Sequence, residues 1–322
     1  MIVFITTRGH GDTVAPLVNQ QFGFKTPKVR IAAYDQLFRA RKAAAATYIF
    51  SDIERLQPIE LRLAADLYRA LGEAGLARLN NPAIAMGRYE LLRALRRADF
   101  NPFNAYRAED QPRPARFPVI LRREFDHRPP MRQLVETQSE LDQWLANARK
   151  EGMPLRGWLV IEFCAEPIGP GMWRQFGTFR IGDRMHVDHG VVEDSWCAKR
   201  GTAGLASEEI ILGTRKSIET NEFADAIRPA FEIGGIEYGR ADHATVGGRQ
   251  VVYEINTNPT IGRPRATRSP IYTEALAFAR RRFAKLLWDI DSGDGRKVAF
   301  PRGRLLELYR RKDFWTRPPI RP

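Results

Sequence analysis

Residues 236–260 read IEYGRADHATVGGRQVVYEINTNPT, and this stretch predicts a β-hairpin that carries a divalent-cation site. The Gly-Gly pair in its middle favours a tight turn between two strands. Asp242 then lies on the first strand, and Glu254 and Asn256 lie on the second. Because Glu254 and Asn256 are two residues apart, a strand directs both side chains to the same face. Two carboxylates and an amide oxygen are the hard ligands that Mg²⁺ prefers.

The residues around this triad carry a more specific pattern, which matters because the bare spacing also fits a solvated face of an ordinary hairpin. The first strand reads G-R-x-D, and the second reads E-x-N-x-x-P and ends at Pro259. These elements resemble the metal hairpin of the ATP-grasp superfamily, most closely that of its D-alanine-D-alanine-ligase-like carboxylate-amine ligases. The resemblance implies ATP and Mg²⁺ (or Mn²⁺) as cofactors, with Asp242, Glu254 and Asn256 as the metal ligands.

The same resemblance assigns phosphate contacts to three basic residues. Arg122 ends the apolar segment FPVILR, and Arg88 begins the helical segment RYELLRALRR. The family more often has Lys at both positions, so these contacts would differ in geometry. Lys199 would reach the terminal phosphate from a loop. A solvated surface cation is the alternative for Arg88 and for Lys199.

The segment WLVIEFCAEP, residues 158–167, resembles the hinge that holds adenine through its main chain in this family. On that resemblance Glu162 and the backbone near Phe163 and Cys164 contact the base, and Glu166 contacts the ribose. An aromatic residue at the end of an apolar strand ordinarily packs into a core, which is the alternative for Phe163.

Arg240 and Asn258 are the predicted catalytic residues. Arg240 is two residues before Asp242, so its side chain shares that ligand's face of the strand. In the family this arginine stabilises charge that develops on an acyl phosphate and a tetrahedral intermediate, a role that suits a planar guanidinium. Asn258 lies where related enzymes bind the substrate carboxylate or oxyanion.

The run His186-Val187-Asp188-His189 contains residue types found in zinc sites. On a regular strand, however, His186 and His189 point to opposite faces. The sequence therefore argues against a zinc site here.

The whole chain predicts an α/β and α+β protein. Strand and helix signals alternate over residues 1–81, as in the small doubly wound parallel-sheet domain that precedes the nucleotide-binding part of ATP-grasp enzymes. Residues 82–265 would form the ATP-grasp region, with a central flap at about 115–160, and residues 266–322 a basic C-terminal helix and tail packed on the body.

Composition limits the class of protein further. The chain is 43% hydrophobic and 28% charged, as in soluble globular proteins. No apolar run approaches the ~20 residues needed to cross a bilayer. The two cysteines, Cys164 and Cys197, have no C-x-x-C spacing. We therefore expect a cytoplasmic protein with reduced thiols and no membrane association.

Positive charge is concentrated near the C terminus. Of a net charge of +13, residues 262–322 contribute ten, with sixteen Lys or Arg against six Asp or Glu. Such a region could meet a polyanion or an acidic carrier protein. Its amphipathic helix, residues 271–290, carries no nucleic-acid motif, so we expect no nucleic-acid partner.

The leading hypothesis is an ATP- and Mg²⁺-dependent carboxylate-amine (or carboxylate-thiol) ligase that acts through an acyl phosphate and releases ADP and phosphate. Its partners would be a small-molecule or peptide carboxylate and an amine acceptor, and a homo-oligomer is compatible with the sequence. The alternatives are an ATP-grasp kinase that phosphorylates a hydroxyl group and a non-catalytic nucleotide-binding protein. The residues do not identify the substrate.

Overall fold

A small parallel sheet with helices on both faces forms the N-terminal part of the protein. The computed structural model describes residues 1–125, 131, 133–197, 201–262, 267–301 and 303–311. The elements of the N-terminal part are β1 (Ile2–Thr6), α1 (Ala15–Val18), β2 (Val29–Ala33), α2 (Tyr34–Arg39), β3 (Lys42–Ala44), β4 (Thr47–Phe50), α3 (Pro58–Glu73) and β5 (Arg78–Leu79). The parallel strands have the order β2-β1-β4-β5, so the chain winds from β1 first to one side and then to the other.

Both faces of this sheet are buried, which is why its strands are nearly continuous apolar segments. Val3, Ile5 and Phe50 pack on one side with the helices α2 and α3. Phe4 and Ile49 pack on the other side with α1. The predicted fold class, α/β and α+β with a small doubly wound parallel-sheet domain at the start, is confirmed.

Asn80, just after β5, ties this sheet to the rest of the protein. Its side chain is fully buried, and its φ of 64° is a left-handed value that Asn tolerates. The amide oxygen accepts hydrogen bonds from the backbone N–H groups of Glu237 and Tyr238, both at 2.8 Å. The amide nitrogen donates to the carbonyls of Phe50 at 2.9 Å and Tyr238 at 2.7 Å.

We expect Asn80→Ala to lower the free energy of unfolding by about 3 kcal/mol or more, because each buried backbone group that loses its partner costs about 1–3 kcal/mol. Denaturant titration measures this value. Asn81→Ala is the matched control, since it removes one hydrogen bond to the N–H of Ala83 and should cost about 1 kcal/mol or less. Equal losses for the two variants would contradict the role given to Asn80.

A second, antiparallel sheet with one covering helix forms the flap. After α4 (Arg88–Arg97), its elements are β6 (Ala105–Arg107), β7 (Val119–Arg123), α5 (Gln138–Lys150) and β8 (Trp158–Glu162). The strand order is β6-β8-β7. Leu141 and Leu145 of α5 pack against Leu121 and Val160 of the sheet. The flap thus has a core of its own.

The largest sheet is antiparallel and carries the predicted metal hairpin. Its elements and the helices beside it are β9 (Pro167–Gly169), β10 (Met172–Ile181), β11 (Arg184–Glu193), α6 (Glu208–Thr220), α7 (Ala224–Ile233), β12 (Tyr238–Val246) and β13 (Arg249–Asn256). The strand order is β11-β10-β12-β13, and β9 pairs with β10. Gly247 and Gly248 have φ values of 55° and 77°, as the tight turn between β12 and β13 requires.

Two β-bulges decide which side chains share a face of this sheet. In the first, Asp242 is opposite Glu254 while His243 is opposite Val252, so Tyr253 is an extra residue. In the second, Gly177 is opposite His189 while Thr178 is opposite Val187, so Asp188 is an extra residue. Each bulge reverses the alternation of the residues beyond it.

The C-terminal helix packs between the two larger sheets. The last elements are α8 (Pro270–Asp289), β14 (Lys297–Ala299) and α9 (Arg304–Arg310). Phe283 of α8 lies in one core with Phe4 of the first sheet and Phe179 of the largest sheet. Arg282 donates to the carbonyl of Ile218 at 2.8 Å, at the end of α6. Among the described helices, none combines the length and the apolar character needed to span a membrane.

Candidate active site

The hairpin places the three predicted metal ligands on one face of the largest sheet. Asp242 lies directly opposite Glu254, and Arg240 lies directly opposite Asn256. Asp242 is 9% exposed and Glu254 is 7% exposed. The structure therefore brings together two nearly buried carboxylates and a carboxamide, as the spacing predicted, and their role as metal ligands stays a prediction.

Two arginines from other elements converge on one of these carboxylates. Arg88, the first residue of α4, donates through Nη2 to Oε2 of Glu254. Arg122 of β7 donates to the same oxygen at 3.2 Å. Burial lowers the pKa of Arg122, an effect that the charge of Glu254 opposes. Both arginines are nearly buried, so the alternative of a surface cation for Arg88 is wrong.

Arg88 is held in place by two further contacts. Its Nη1 donates to the backbone carbonyls of Arg123 at 3.0 Å and Glu124 at 2.5 Å. Since both carbonyls lie at the end of β7, one guanidinium joins the flap to the β12–β13 hairpin. Arg88 and Arg122 concentrate positive charge at this junction, where an anionic group such as a phosphate would be stabilised.

The predicted adenine hinge and the β12–β13 hairpin both line a narrow cleft, which has a volume of about 70 Å³. Its lining combines residues of the predicted hinge, of β7 and of the β12–β13 hairpin, and includes Arg122, Phe163, Cys164, Trp196, Asp242 and Glu254. The rings of Phe163 and Trp196 meet edge to face at 5.5 Å. Burial raises the pKa of the Cys164 thiol, so this cysteine is not an activated nucleophile.

The carboxylates of the two hinge glutamates already have partners within the protein. Glu162 accepts from the N–H of Asn104 at 3.0 Å and from the Tyr106 hydroxyl at 2.9 Å. Glu166 accepts from the N–H of Gly247, in the β12–β13 turn, at 2.6 Å. Glu162 therefore stabilises the flap, and Glu166 connects the predicted hinge to the β12–β13 turn. Their predicted contacts with adenine and ribose stay predictions.

The two predicted catalytic residues, Arg240 and Asn258, have different surroundings. Nε of Arg240 is 3.4 Å from Oδ1 of Asp242, and its guanidinium lies 5.9 Å from the centre of the Phe179 ring. Asn258 is buried, and its amide oxygen accepts from the Thr13 hydroxyl at 2.7 Å while its amide nitrogen donates to the His10 carbonyl at 3.1 Å. Asn258 thus anchors the loop after β13 to the N-terminal sheet.

The N-terminal sheet contributes polar residues that were not among the predicted site residues. The hydroxyl of Thr257 donates to Glu54 at 2.7 Å. Nδ1 of His10 is 3.2 Å from the carboxylate of the buried Asp52. His10 follows β1, and Asp52 and Glu54 follow β4. The winding of the sheet reverses between these two strands, and open α/β sheets bind ligands at such a place. Polar residues directly after two parallel strands were the signal that could have identified them.

A larger cavity, about 740 Å³, is bordered by Arg240. Its lining has a charged and polar part and a larger apolar part. The polar part includes Asp188, His189, Arg240, Arg268 and Arg280. The apolar part includes Phe22, Val191, Ile211, Ile261, Leu276 and Phe283. This volume suits a small-molecule substrate.

The prediction that His186 and His189 point to opposite faces of their strand is wrong. Because Asp188 is the extra residue of a bulge, both histidines lie on the same face of β11. Nδ1 of His189 is 2.7 Å from Asp188, and Nε2 of His186 is 3.8 Å from it. Even so, the described part of the chain holds no group of three or more His, Cys, Asp or Glu side chains placed to bind a metal ion. Lys199, predicted to reach the terminal phosphate, lies outside the described residues.

Three solved structures are similar to this chain at low sequence identity. An L-amino acid ligase from Bacillus licheniformis matches at 13% identity with a TM-score of 0.44, over 80% of this chain and 66% of that one. This chain therefore spans just under two thirds of that ligase. D-alanine–D-alanine ligase from Bacillus anthracis complexed with ATP matches at 11% identity with a TM-score of 0.48, over 97% of this chain and 99% of that one.

The third structure is the D-cycloserine synthetase DcsG, at 14% identity with a TM-score of 0.47, over 87% of this chain and 99% of that one. No protein-family model and no curated protein sequence matches the chain. The chain is thus similar, at low sequence identity, to solved structures of two ligases and a synthetase.

Proposed function

We propose that this protein is an ATP-dependent carboxylate-amine (or carboxylate-thiol) ligase that forms an acyl phosphate and releases ADP and phosphate. One observation carries the proposal. Arg88 and Arg122 meet Glu254 directly opposite Asp242, and Arg122 and both carboxylates line the same cleft as the predicted adenine hinge. Cations for phosphate, carboxylates for metal and a hinge for the base then occupy one site.

The donor set fits the divalent metal that this function needs. Asp242 and Glu254 supply carboxylate oxygens, and Asn256 supplies a carboxamide oxygen, which accepts from the N–H of Asn258 at 2.8 Å. Such oxygen ligands are those of Mg²⁺ or Mn²⁺. When bound, the metal would neutralise charge on the phosphate oxygens. Cytoplasmic location remains part of the proposal.

ATP would enter between the flap and the largest sheet. The cleft of about 70 Å³ is smaller than the roughly 300–1,000 Å³ of typical small-molecule sites, so the flap must move to admit a nucleotide. Adenine would lie against the backbone of Phe163 and Cys164, and the phosphates would reach Arg122 and Arg88.

The chemistry would take place beside Arg240, between the cleft and the large cavity. A carboxylate oxygen of the substrate attacks the γ-phosphorus of ATP, and the bond to the ADP oxygen breaks. The nitrogen of the acceptor then attacks the carbonyl carbon, and phosphate leaves. Arg240 lines the large cavity and contacts Asp242 at 3.4 Å. It is therefore placed to stabilise negative charge on the reacting carboxyl group.

A screen of ADP release tests this function. Purified protein, ATP and MgCl₂ are incubated with a panel of amino acids and small peptides, with hydroxylamine as the acceptor. We expect ADP release that depends on one class of carboxylate and is accompanied by its hydroxamate. Phosphorylation of a hydroxyl group without hydroxamate would indicate the kinase alternative. ATP binding without turnover on any carboxylate would indicate a non-catalytic nucleotide-binding protein.

Trp196 lines the cleft beside Phe163 and Cys164, so the proposed adenine would also lie against its ring. We expect Trp196→Ala to weaken ATP binding about tenfold, because a base stacked on an aromatic ring is worth about 1–3 kcal/mol. Isothermal titration with a non-hydrolysable ATP analogue measures the dissociation constant. Trp288→Ala is the matched control, since Trp288 is 42% exposed on α8. If Trp196→Ala binds the analogue as tightly as the Trp288 variant does, adenine does not lie beside Trp196.

A further inference from the structure

The bulge in β11 brings an aspartate-histidine pair to the face of the sheet that carries Arg240 and Asp242. His189 is opposite Gly177, and Gly177 is opposite Asp242 on its other side. Nδ1 of His189 lies 2.7 Å from Oδ2 of Asp188, and both residues line the large cavity. The pair therefore borders both the cavity and the proposed reaction site.

Gly177 provides the surface on which the His189 ring lies. A Cβ atom at Gly177 would be 2.4 Å from Cε1 of His189 and 3.0 Å from Nε2. Any larger residue at position 177 would therefore displace the imidazole. Since neighbouring strands are about 4.8 Å apart, the backbones of His189 and Asp242 are about 10 Å apart. The imidazole occupies the space above the strand between them.

The surroundings of His189 favour the tautomer of its ring that carries the proton on Nδ1. Asp188 and His186 lie on its own strand, while Arg240 of β12 and Arg280 and Tyr272 of α8 border the same cavity. Burial raises the pKa of Asp188, but its contacts with His186 and His189 outweigh burial and hold that pKa below its ordinary value. Asp188 is therefore ionised at neutral pH, and its carboxylate accepts a hydrogen bond that the N–H at Nδ1 of His189 donates. Nε2 is then left as a hydrogen-bond acceptor.

We propose that His189 is the general base for the attacking amine and that Asp188 is the residue that positions it. This proposal rests on the proposed function. The amine nitrogen forms the C–N bond to the carbonyl carbon of the acyl phosphate, and its proton passes to Nε2 of His189. The C–O bond to phosphate breaks, phosphate leaves with the electron pair, and the proton returns to phosphate or solvent. The apolar cavity wall selects an acceptor with an apolar side group.

Two acceptors distinguish this role from a structural one. His189→Gln and Asp188→Asn are assayed with the carboxylate panel, using L-leucinamide as the amine in one arm and hydroxylamine in the other. Hydroxylamine is uncharged at neutral pH and needs less help from a base. We expect amide formation to fall about 10²–10⁴-fold, with hydroxamate formation largely retained. Equal losses in both arms, or no loss in either, would overturn the assignment.

Chemical rescue by imidazole and a substitution at Gly177 provide two independent tests. We expect added imidazole to restore amide formation by the His189→Ala protein, in which the smaller side chain leaves room for the imidazole molecule. We expect no such restoration in the His189→Gln protein, because the Gln side chain fills that space. Gly177→Ala should lower amide formation while hydroxamate formation continues, since the displaced ring is needed only for the amine. No rescue by imidazole would overturn the role as a base. If the wild-type protein forms no hydroxamate, this result contradicts the proposed function itself. The present inference, which rests on that function, would then be contradicted as well.

Discussion

Asp242→Asn is expected to lower carboxylate-dependent ADP release by about 10²–10³-fold, because a metal ligand contributes several kcal/mol to the stabilisation of phosphate charge. The fold should change little. Nε of Arg240 lies 3.4 Å from Oδ1 of Asp242, and the amide oxygen of Asn can accept that hydrogen bond in its place. Initial rates of ADP release at saturating MgCl₂, with thermal unfolding measured alongside, separate the two effects.

Asp183→Asn is the matched control for this variant. Asp183 is exposed in the turn between β10 and β11 of the same sheet. Its substitution should leave both the rate and the unfolding temperature unchanged. A folded Asp242→Asn protein that releases ADP as fast as the Asp183 variant would refute the metal site.

Glu254→Gln is expected to affect both activity and stability. Arg88 and Arg122 share Oε2 of Glu254, and all three side chains are nearly buried. Removal of one partner from a buried ion pair costs about 3–5 kcal/mol, because the remaining charge loses its compensation. Denaturant titration should therefore show a large loss of unfolding free energy, in contrast to Asp242→Asn. Glu232→Gln, an exposed site on α7, should change this value by about 0.5 kcal/mol or less.

A double-mutant cycle tests whether the arginines cause this loss. If they do, Glu254→Gln should cost less in a protein that already carries Arg122→Met, with a coupling energy of about 0.5–3 kcal/mol. Additive effects of the two substitutions, or a Glu254→Gln protein as stable as the Glu232 control, would contradict the buried cluster.

Local patterns in the sequence predicted the elements best. The Gly-Gly turn and the alternation around it predicted the β12–β13 hairpin, and the apolar spacing of RYELLRALRR predicted α4 with its observed bounds, Arg88–Arg97. The helices α6 and α7 were not predicted. Gly213 lies inside α6, and Pro229 lies inside α7, and both residue types weaken a helical pattern.

The candidate site was predicted where it depends on neighbours along one strand, and missed where it depends on distant contacts. The shared face of Glu254 and Asn256 follows from a spacing of two residues. The contact between Arg88 and Glu254 joins residues 166 positions apart, and no local pattern contains it. The position of His189 depends on a single extra residue in β11, which reverses the face that regular alternation predicts.

The fate of the oxygen atoms of the substrate carboxylate tests the central claim most directly. The carboxylate identified by the screen is labelled with ¹⁸O in both oxygens, and the phosphate released on amide formation is analysed by ³¹P NMR or mass spectrometry. An acyl-phosphate ligase transfers one labelled oxygen to that phosphate, and this is the result that we expect. Unlabelled phosphate, released in the same amount as the product, would contradict the proposed function.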